Sequence, residues 1–212
     1  LLFEVSMLLS FSQLYKKYKF NIKGIIHIGA HYGEEIPEYI HYGIQDIVLF
    51  EPLTSNFNVL SERVKDLNAN IEGHQLALGN DNKKVSMYLS SNEQQSSSIL
   101  KPKIHLTHHP NVTFDGVEEV DMVKLDDFSY TKYNFINMDV QGYELEVLKG
   151  ATETLKNIDY VYCEVNRDEV YENNAYVEEI DEFLSSYDMK RVETSWEGKI
   201  WGDALYIREK LL

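Results

Sequence analysis

The stretch Ile25-Ile26-His27-Ile28-Gly29-Ala30-His31-Tyr32-Gly33, followed by Leu49-Phe50-Glu51-Pro52, decides the reading of this chain. An apolar run ends in a glycine-bearing turn, and a helix can start near Gly33. A second apolar run, residues 47–50, then ends in a carboxylate. That order predicts a strand, a tight turn, a helix and a parallel strand, with an acid where a ribose would lie. The glycines let backbone approach a ligand that a Cβ would exclude. Glu51, about 20 residues beyond Gly29, is placed to accept hydrogen bonds from two ribose hydroxyls. The pattern points to a nucleoside-cofactor site. The purely structural alternative is that Gly29 and Gly33 only make a tight strand-to-helix turn.

The turn argues against a dinucleotide. A pyrophosphate calls for G-x-G-x-x-G and a helix N-terminus facing the anion. Here His31 takes the middle glycine position, and Glu34 and Glu35 follow at once. Two carboxylates suit the start of a helix dipole, but they would repel a pyrophosphate. They tolerate a cationic, phosphate-free ligand such as S-adenosylmethionine.

The chain has 212 residues, 43% hydrophobic and 26% charged, which fits one globular domain with a single well-buried core. Its net charge of −15 disfavours a nucleic-acid partner, because such binding rests on basic surface. With Cys163 alone there is no intramolecular disulfide and no cysteine-rich metal site; the run Val161-Tyr162-Cys163 makes it a core thiol. No stretch is long and apolar enough for a membrane span. Residues 1–18 resemble a leader in apolarity but lack a basic start and contain Glu4. Leu8, Phe11, Tyr15 and Tyr18 recur at helical spacing, which predicts an amphipathic N-terminal helix within residues 1–20. A cytoplasmic location is expected. The first residue is not methionine, and the reading is of one domain, residues 1–212, cut from a longer protein whose neighbouring domains would be its partners.

Strands alternate with helices from residue 25 onward. Helices are expected around residues 34–41 and 55–67, and a third strand over 71–78, so the sheet is parallel with right-handed crossovers. Residues 80–133 break the rhythm as an insert, with strands at 85–89 and 120–125 around a long polar segment. Three of its histidines, His105, His108 and His109, read as solvated rather than metal-binding. The sheet resumes at 133–138 and reaches Asp139-Val140-Gln141-Gly142-Tyr143-Glu144, where Glu144 opens a helix ending near Gly150. A strand at 160–165 carries Glu164 near its C-terminal end, and a helix spans 176–187. Strands at 190–194 and 204–208 are joined so briefly that they must be antiparallel. The fold class is therefore α/β: a mostly parallel, Rossmann-like sheet closed by an antiparallel hairpin, with helices on both faces, as in class I methyltransferases.

At this level the chain resembles the FkbM family of S-adenosylmethionine-dependent methyltransferases over about residues 24 to 208. The resemblance rests on Ile28-Gly29-Ala30-His31-Tyr32-Gly33, Phe50-Glu51-Pro52 with Asn56, Ala77-Leu78-Gly79, Ser97-Ser98 and Leu125-Asp126-Asp127-Phe128. Above all it rests on residues 137–151, Asn-Met-Asp-Val-Gln-Gly-Tyr-Glu-Leu-Glu-Val-Leu-Lys-Gly-Ala. It implies O-methylation, often of a sugar hydroxyl in a glycan or natural product, with S-adenosylhomocysteine as product. The implied cofactor contacts are His27, Gly29, Ala30, His31, Tyr32, Gly33, Glu51, Pro52, Asn56, Ala77, Leu78, Ser98 and Asp139. His27 stands where many class I methyltransferases carry an acid. Ser97, Gln141, Tyr143, Glu144, Asn166 and Arg167 are the implied contacts to a saccharide acceptor.

A sugar hydroxyl is a poor nucleophile, so a base or a metal must take its proton. Asp139 and Glu164 lie at the C-terminal ends of strands expected to be neighbours, where open α/β sheets bind ligands. Asp139 is the expected base, with Glu164 as second acid. The alternative is a divalent cation such as Mg²⁺ between them, relieving their repulsion. Structurally, Asp139 could instead cap the following helix, and Glu164 could pair with Arg167. Two readings from other classes remain open at this point: a nucleotide-dependent oxidoreductase, and a catalytically silent cofactor- or glycan-binding module.

Overall fold

A computed structural model describes residues 8–212. Seven strands form the central sheet: β1 (Ile25–Ile28), β2 (Asp46–Phe50), β3 (Asn70–His74), β7 (Phe135–Met138), β8 (Tyr160–Asn166), β9 (Met189–Glu197) and β10 (Trp201–Arg208). Their order is β3-β2-β1-β7-β8-β10-β9. The first five are parallel, and β10 runs antiparallel between β8 and β9. The strands β1, β7 and β8 are buried throughout, as expected of a parallel sheet covered on both faces.

The helices are α1 (Phe11–Tyr18), α2 (Ile36–His41), α3 (Thr54–Val64), α4 (His105–His108), α5 (Glu144–Lys149) and α6 (Val177–Ser185). On one face, Phe11 and Leu14 of α1 and Ile36 and Tyr39 of α2 pack against Ile25, Phe135 and Leu205. On the other, α5 and α6 bury Leu148, Ile180 and Leu184 against Ile26, Ile136 and Val161. The N-terminal helix thus forms over Phe11–Tyr18, while the part of that expectation on residues 1–7 lies outside the described residues. Cys163 is a buried core thiol. No helix among the described residues is long and apolar enough to cross a membrane.

Two strand expectations need correction. The run 71–78 is not one strand. It breaks after His74, and β4 (Ala77–Leu78) joins a second sheet, ordered β4-β6-β5, with β5 (Lys83–Ser90) and β6 (Phe114–Val123). The break follows from the stacking of His74 on Phe50 and its hydrogen bond to Tyr130, which hold the end of β3 at the edge of the main sheet. The strand expected at 120–125 begins earlier, at Phe114. Over its last residues the alternation follows hydropathy, with Val120 and Met122 buried, but at Val117 and Glu118 it is inverted: Val117 faces solvent while the half-buried Glu118 accepts from the Thr54 amide at 3.0 Å and its hydroxyl at 2.7 Å. Glu118 thereby satisfies the start of α3, whose preceding residue, Leu53, has no side chain able to cap it.

Candidate active site

The cleft sits beyond the C-terminal ends of β1, β2 and β7 and is roofed by β4, β5 and the segment 91–99. Its empty space is about 900 Å³, part of it continuous with solvent. The first turn builds its floor. Gly29 (φ +79°) approaches β7 so closely that a Cβ would meet the Asp139 carbonyl oxygen at 1.9 Å. The Gly29 and Ala30 amides both donate to the Phe50 carbonyl, at 2.9 and 3.0 Å. That pair of bonds bends the chain across the end of β2 and brings the His31 amide to Glu51 Oε2 at 3.0 Å. Glu51 Oε1 accepts from the Leu53 amide, also at 3.0 Å. Burial pushes the Glu51 carboxyl up to about 7, although these amides hold it down.

Of the expected cofactor residues, Gly29, His31, Glu51, Pro52, Asn56, Ala77, Leu78 and Asp139 line the cleft together. Four carboxylates line it (Glu34, Glu35, Glu51 and Asp139), and no Lys or Arg does among the described residues. Ile28, Phe50, Leu53, Leu76 and Met87 add apolar surface that sequence reading did not assign. Met87 comes from the second sheet, so no local pattern could have found it.

Other expected cofactor residues lie elsewhere. His27 is buried under the sheet, with Nδ1 3.3 Å from Tyr39 Oη and Nε2 3.4 Å from Asn137 Nδ2. Its side chain faces α2 and not the cleft, and burial lowers it to about 4. Ala30 is buried in the turn, and Gly33 (φ +76°) leaves room for Ile36 and Leu60. Tyr32 leans on the His31 ring, centroids 3.8 Å apart, outside the lining. Ser98 is fully buried and acts as a strap: its hydroxyl donates to the Gln141 carbonyl at 2.7 Å and accepts from the Leu100 amide.

Ser97, Gln141 and Tyr143, expected at the acceptor, do line the cleft, as do Gln94, Gln95 and Ile99. Glu144 does not. Its Oε1 accepts from the Val140 and Gly142 amides at 3.1 and 3.2 Å, clamping the turn before α5. Burial raises it to about 7. Asn166 is buried and donates to Glu164 Oε1 at 3.3 Å, and the Arg167 guanidinium lies 3.6 Å over the Trp196 ring instead of pairing with Glu164. Glu164 is itself buried behind Gln141. Of the loop histidines, His108 and His109 are exposed as expected, whereas His105 is buried against Tyr171 and Phe114.

Asp139 and Glu164 are brought together, and one side chain joins them. Gln141 Nε2 donates to Asp139 Oδ1 at 2.6 Å and to Glu164 Oε2 at 2.9 Å. Burial pushes Asp139 up to about 6, with the Glu35 charge adding to it and the Gln141 amide opposing. Burial drives Glu164 well above the carboxylate range, and the charges of Asp139, Glu144 and Asp203 push the same way. Of the two acids, Glu164 is the one pushed further toward its neutral form, because it is the more deeply buried and has three carboxylates around it. A divalent cation does not fit here: an N–H donor already occupies the space between the acids. Among the described residues no group of three or more His, Cys, Asp or Glu is disposed to hold a metal ion.

The segment 91–96 closes over the turn. His31 Nε2 lies 2.9 Å from the Glu93 carbonyl, and Ser55 Oγ donates to Gln94 Oε1 at 2.8 Å. Glu93 and Gln94 adopt the left-handed region in succession, at φ 56° and 66°.

Residues 27–190 match the family model described as the Methyltransferase FkbM domain. The chain belongs to the FkbM methyltransferase family. One curated relative is the 2-O-methyltransferase NoeI of Sinorhizobium fredii, 36% identical over 98 residues, which are 44% of this chain and 40% of that protein. Among solved structures, methyltransferase FkbM from Methylobacillus flagellatus KT superposes with a TM-score of 0.59 at 18% identity, covering 87% of this chain and 43% of that one. Magnesium protoporphyrin IX methyltransferase from Synechocystis PCC 6803, solved with bound S-adenosylmethionine, gives 0.52 at 8% identity, covering 93% and 77%. At such identities the solved structures establish the Rossmann-like fold alone. The chain spans less than half the length of NoeI and of the Methylobacillus protein.

Proposed function

We propose that this FkbM domain is an S-adenosylmethionine-dependent O-methyltransferase acting on a hydroxyl of a saccharide. One observation carries the reading: a single cleft holds Glu51, gripped by two backbone amides at the end of β2, and the partly exposed Asp139 at the end of β7. Four acids and no lining Lys or Arg suit a cationic cofactor and oppose a pyrophosphate. The same contrast weighs against an oxidoreductase reading. Family membership supports methyl transfer, and the name of NoeI supports an oxygen acceptor. The polar segment carrying Gln94, Gln95 and Ser97 suits a polyhydroxylated one.

When bound, the cofactor supplies an electrophilic methyl on a sulfonium that loses its charge as the methyl leaves. The protein's part is alignment and proton handling. Glu51 would hold the ribose hydroxyls of the cofactor, while Ala77, Leu78 and Phe50 would supply the apolar surface for its base. The turn at Gly29 flanks the amino-acid end. Asp139, ionised above pH about 6, takes the proton of the acceptor hydroxyl as its oxygen attacks. Glu164, buried and pushed well above the ordinary carboxylate range, favours the neutral form that keeps a second negative charge out of the reacting centre.

Calorimetric titration with S-adenosylhomocysteine and with NAD, then incubation with labelled S-adenosylmethionine and a panel of saccharides, tests the reading. Binding of S-adenosylhomocysteine and label transfer to a saccharide are expected. Binding of NAD alone would overturn the cofactor assignment, and label transfer only to non-saccharide acceptors would overturn the substrate class.

A further inference from the structure

The amide that joins the two acids is itself held at every polar atom. Both Nε2 protons of Gln141 are used, on Asp139 and Glu164. Its Oε1 accepts from Tyr171 Oη at 2.6 Å, and its backbone carbonyl accepts from Ser98. Gln141 sits at φ +53°, a region that costs a residue with a Cβ about 1 kcal/mol or more. The surroundings must therefore hold it there.

Tyr171 is fully buried, with its backbone amide fixed by Asn174 Oδ1 at 2.9 Å and its ring 5.6 Å from that of His105. Its hydroxyl also lies 3.0 Å from the Ser96 carbonyl, a longer contact than the one to Gln141. Burial keeps the phenol protonated, so it is a donor.

A carboxamide can present either end to its neighbours. Turned about, Gln141 would aim its carbonyl at the acids, repelling the ionised form and accepting from the protonated one. A phenol donating to Oε1 disfavours that orientation, because the turned amide would have to donate to the phenol oxygen while the phenol proton moved to the longer contact with the Ser96 carbonyl.

We propose that Tyr171 is a positioning residue for methyl transfer: it locks the Gln141 amide with its nitrogen toward Asp139 and Glu164. The inference rests on the reading of Asp139 as the proton acceptor. The lock engages Asp139 Oδ1 and so sets the carboxylate's orientation toward the acceptor hydroxyl. Nothing in the local sequence joins these residues, which lie 30 positions apart.

Tyr171→Phe keeps the ring and removes only the hydroxyl, so it separates locking from packing. Two readouts are needed. The side-chain amide of Gln141, followed by nitrogen-15 NMR in the full chain, should show slow solvent exchange and two distinct proton shifts in the wild type. In Tyr171→Phe both protons should exchange at least about ten times faster, because a bond has been lost. Turnover should fall about tenfold in kcat, with S-adenosylhomocysteine binding unchanged. Unchanged amide exchange in the variant would overturn the proposal whatever the turnover. If the variant does not fold, wild-type Gln141 protons exchanging as fast as those of a surface glutamine would overturn it equally. Faster exchange in a protein that methylates nothing would leave the lock standing and remove the reaction assigned to it.

Discussion

The cleft depends on a few atoms whose loss has calculable effects. Glu51→Gln keeps the shape but offers the ribose one acceptor in place of two and no charge. Affinity for S-adenosylhomocysteine should fall by about 2 kcal/mol, read by calorimetry. Asp139→Asn should lower kcat by about 10²-fold or more while sparing cofactor binding. As the proposed base, Asp139 acts in its ionised form, so kcat/KM of the wild type should rise with pH through about 6, and a profile flat from pH 5 to 8 would remove that role. Gly29 is a backbone requirement: Gly29→Ala combines positive φ with a clash on a main-chain oxygen, and should cost about 3 kcal/mol or more in urea unfolding.

At the scale of elements, the turn between β7 and α5 and the segment over the cleft do different work. The turn is held by Glu144, whose one oxygen serves two buried amides. Glu144→Ala would strand both donors and should cost about 2 kcal/mol in urea unfolding. Glu144→Gln retains a carbonyl oxygen in the same place and should cost less than about 1 kcal/mol. If both variants behaved alike, the clamp would be unimportant. The segment 91–96 is latched to the first turn and to α3 through His31 and Ser55, is held at its end by Tyr171 on the Ser96 carbonyl, and runs through two left-handed residues in succession. Such a segment should open to admit a ligand and close over it. Amide exchange across residues 91–98 should slow on adding S-adenosylhomocysteine, and an unchanged rate would make the segment a fixed wall.

For the molecule as a whole, the buried acids set the pH dependence of stability. Glu51, Glu144 and Asp203 stand at about 7 and Asp139 at about 6, all above their unfolded values near 4. Between those limits the folded chain binds protons that the unfolded chain has released, so stability is lost as pH rises. Buried His27 and His105, both lowered to about 4, act in the opposite sense between about pH 6.5 and 4, as the unfolded chain alone takes up their protons. With Glu164 also raised, five acids outweigh two histidines, and a net charge of −15 adds repulsion that acid relieves. The melting temperature of the free protein should therefore rise as pH is lowered from 8 to about 5.5. A melting temperature that fell across that interval would show that the acids are not buried as charges.

The sequence by itself determined the sheet and its ligand-binding edge. The apolar runs at 25–28, broken only by His27, and at 47–50 read as strands covered on both faces, and the glycine turn followed by Glu51 marks the end of the sheet where the cleft opens. The short link after Glu197 likewise forces an antiparallel hairpin. These are local consequences, since periodicity, backbone freedom and loop length act within a few residues. What only the tertiary structure decided is which polar side chains face the cleft. Glu144 and Ser98 read as ligand contacts, yet both are consumed by backbone groups of the same turn. His27 carries the right position but the wrong face of the sheet, since Tyr39 and Asn137 enclose it. Tyr171 gives no signal at all, because its role exists only when the segment after β8 meets the turn after β7. The division has one physical reason: burial and hydrogen-bond partnership are set by contacts between distant parts of the chain, and the same carboxylate or amide serves backbone or ligand according to which reaches it first.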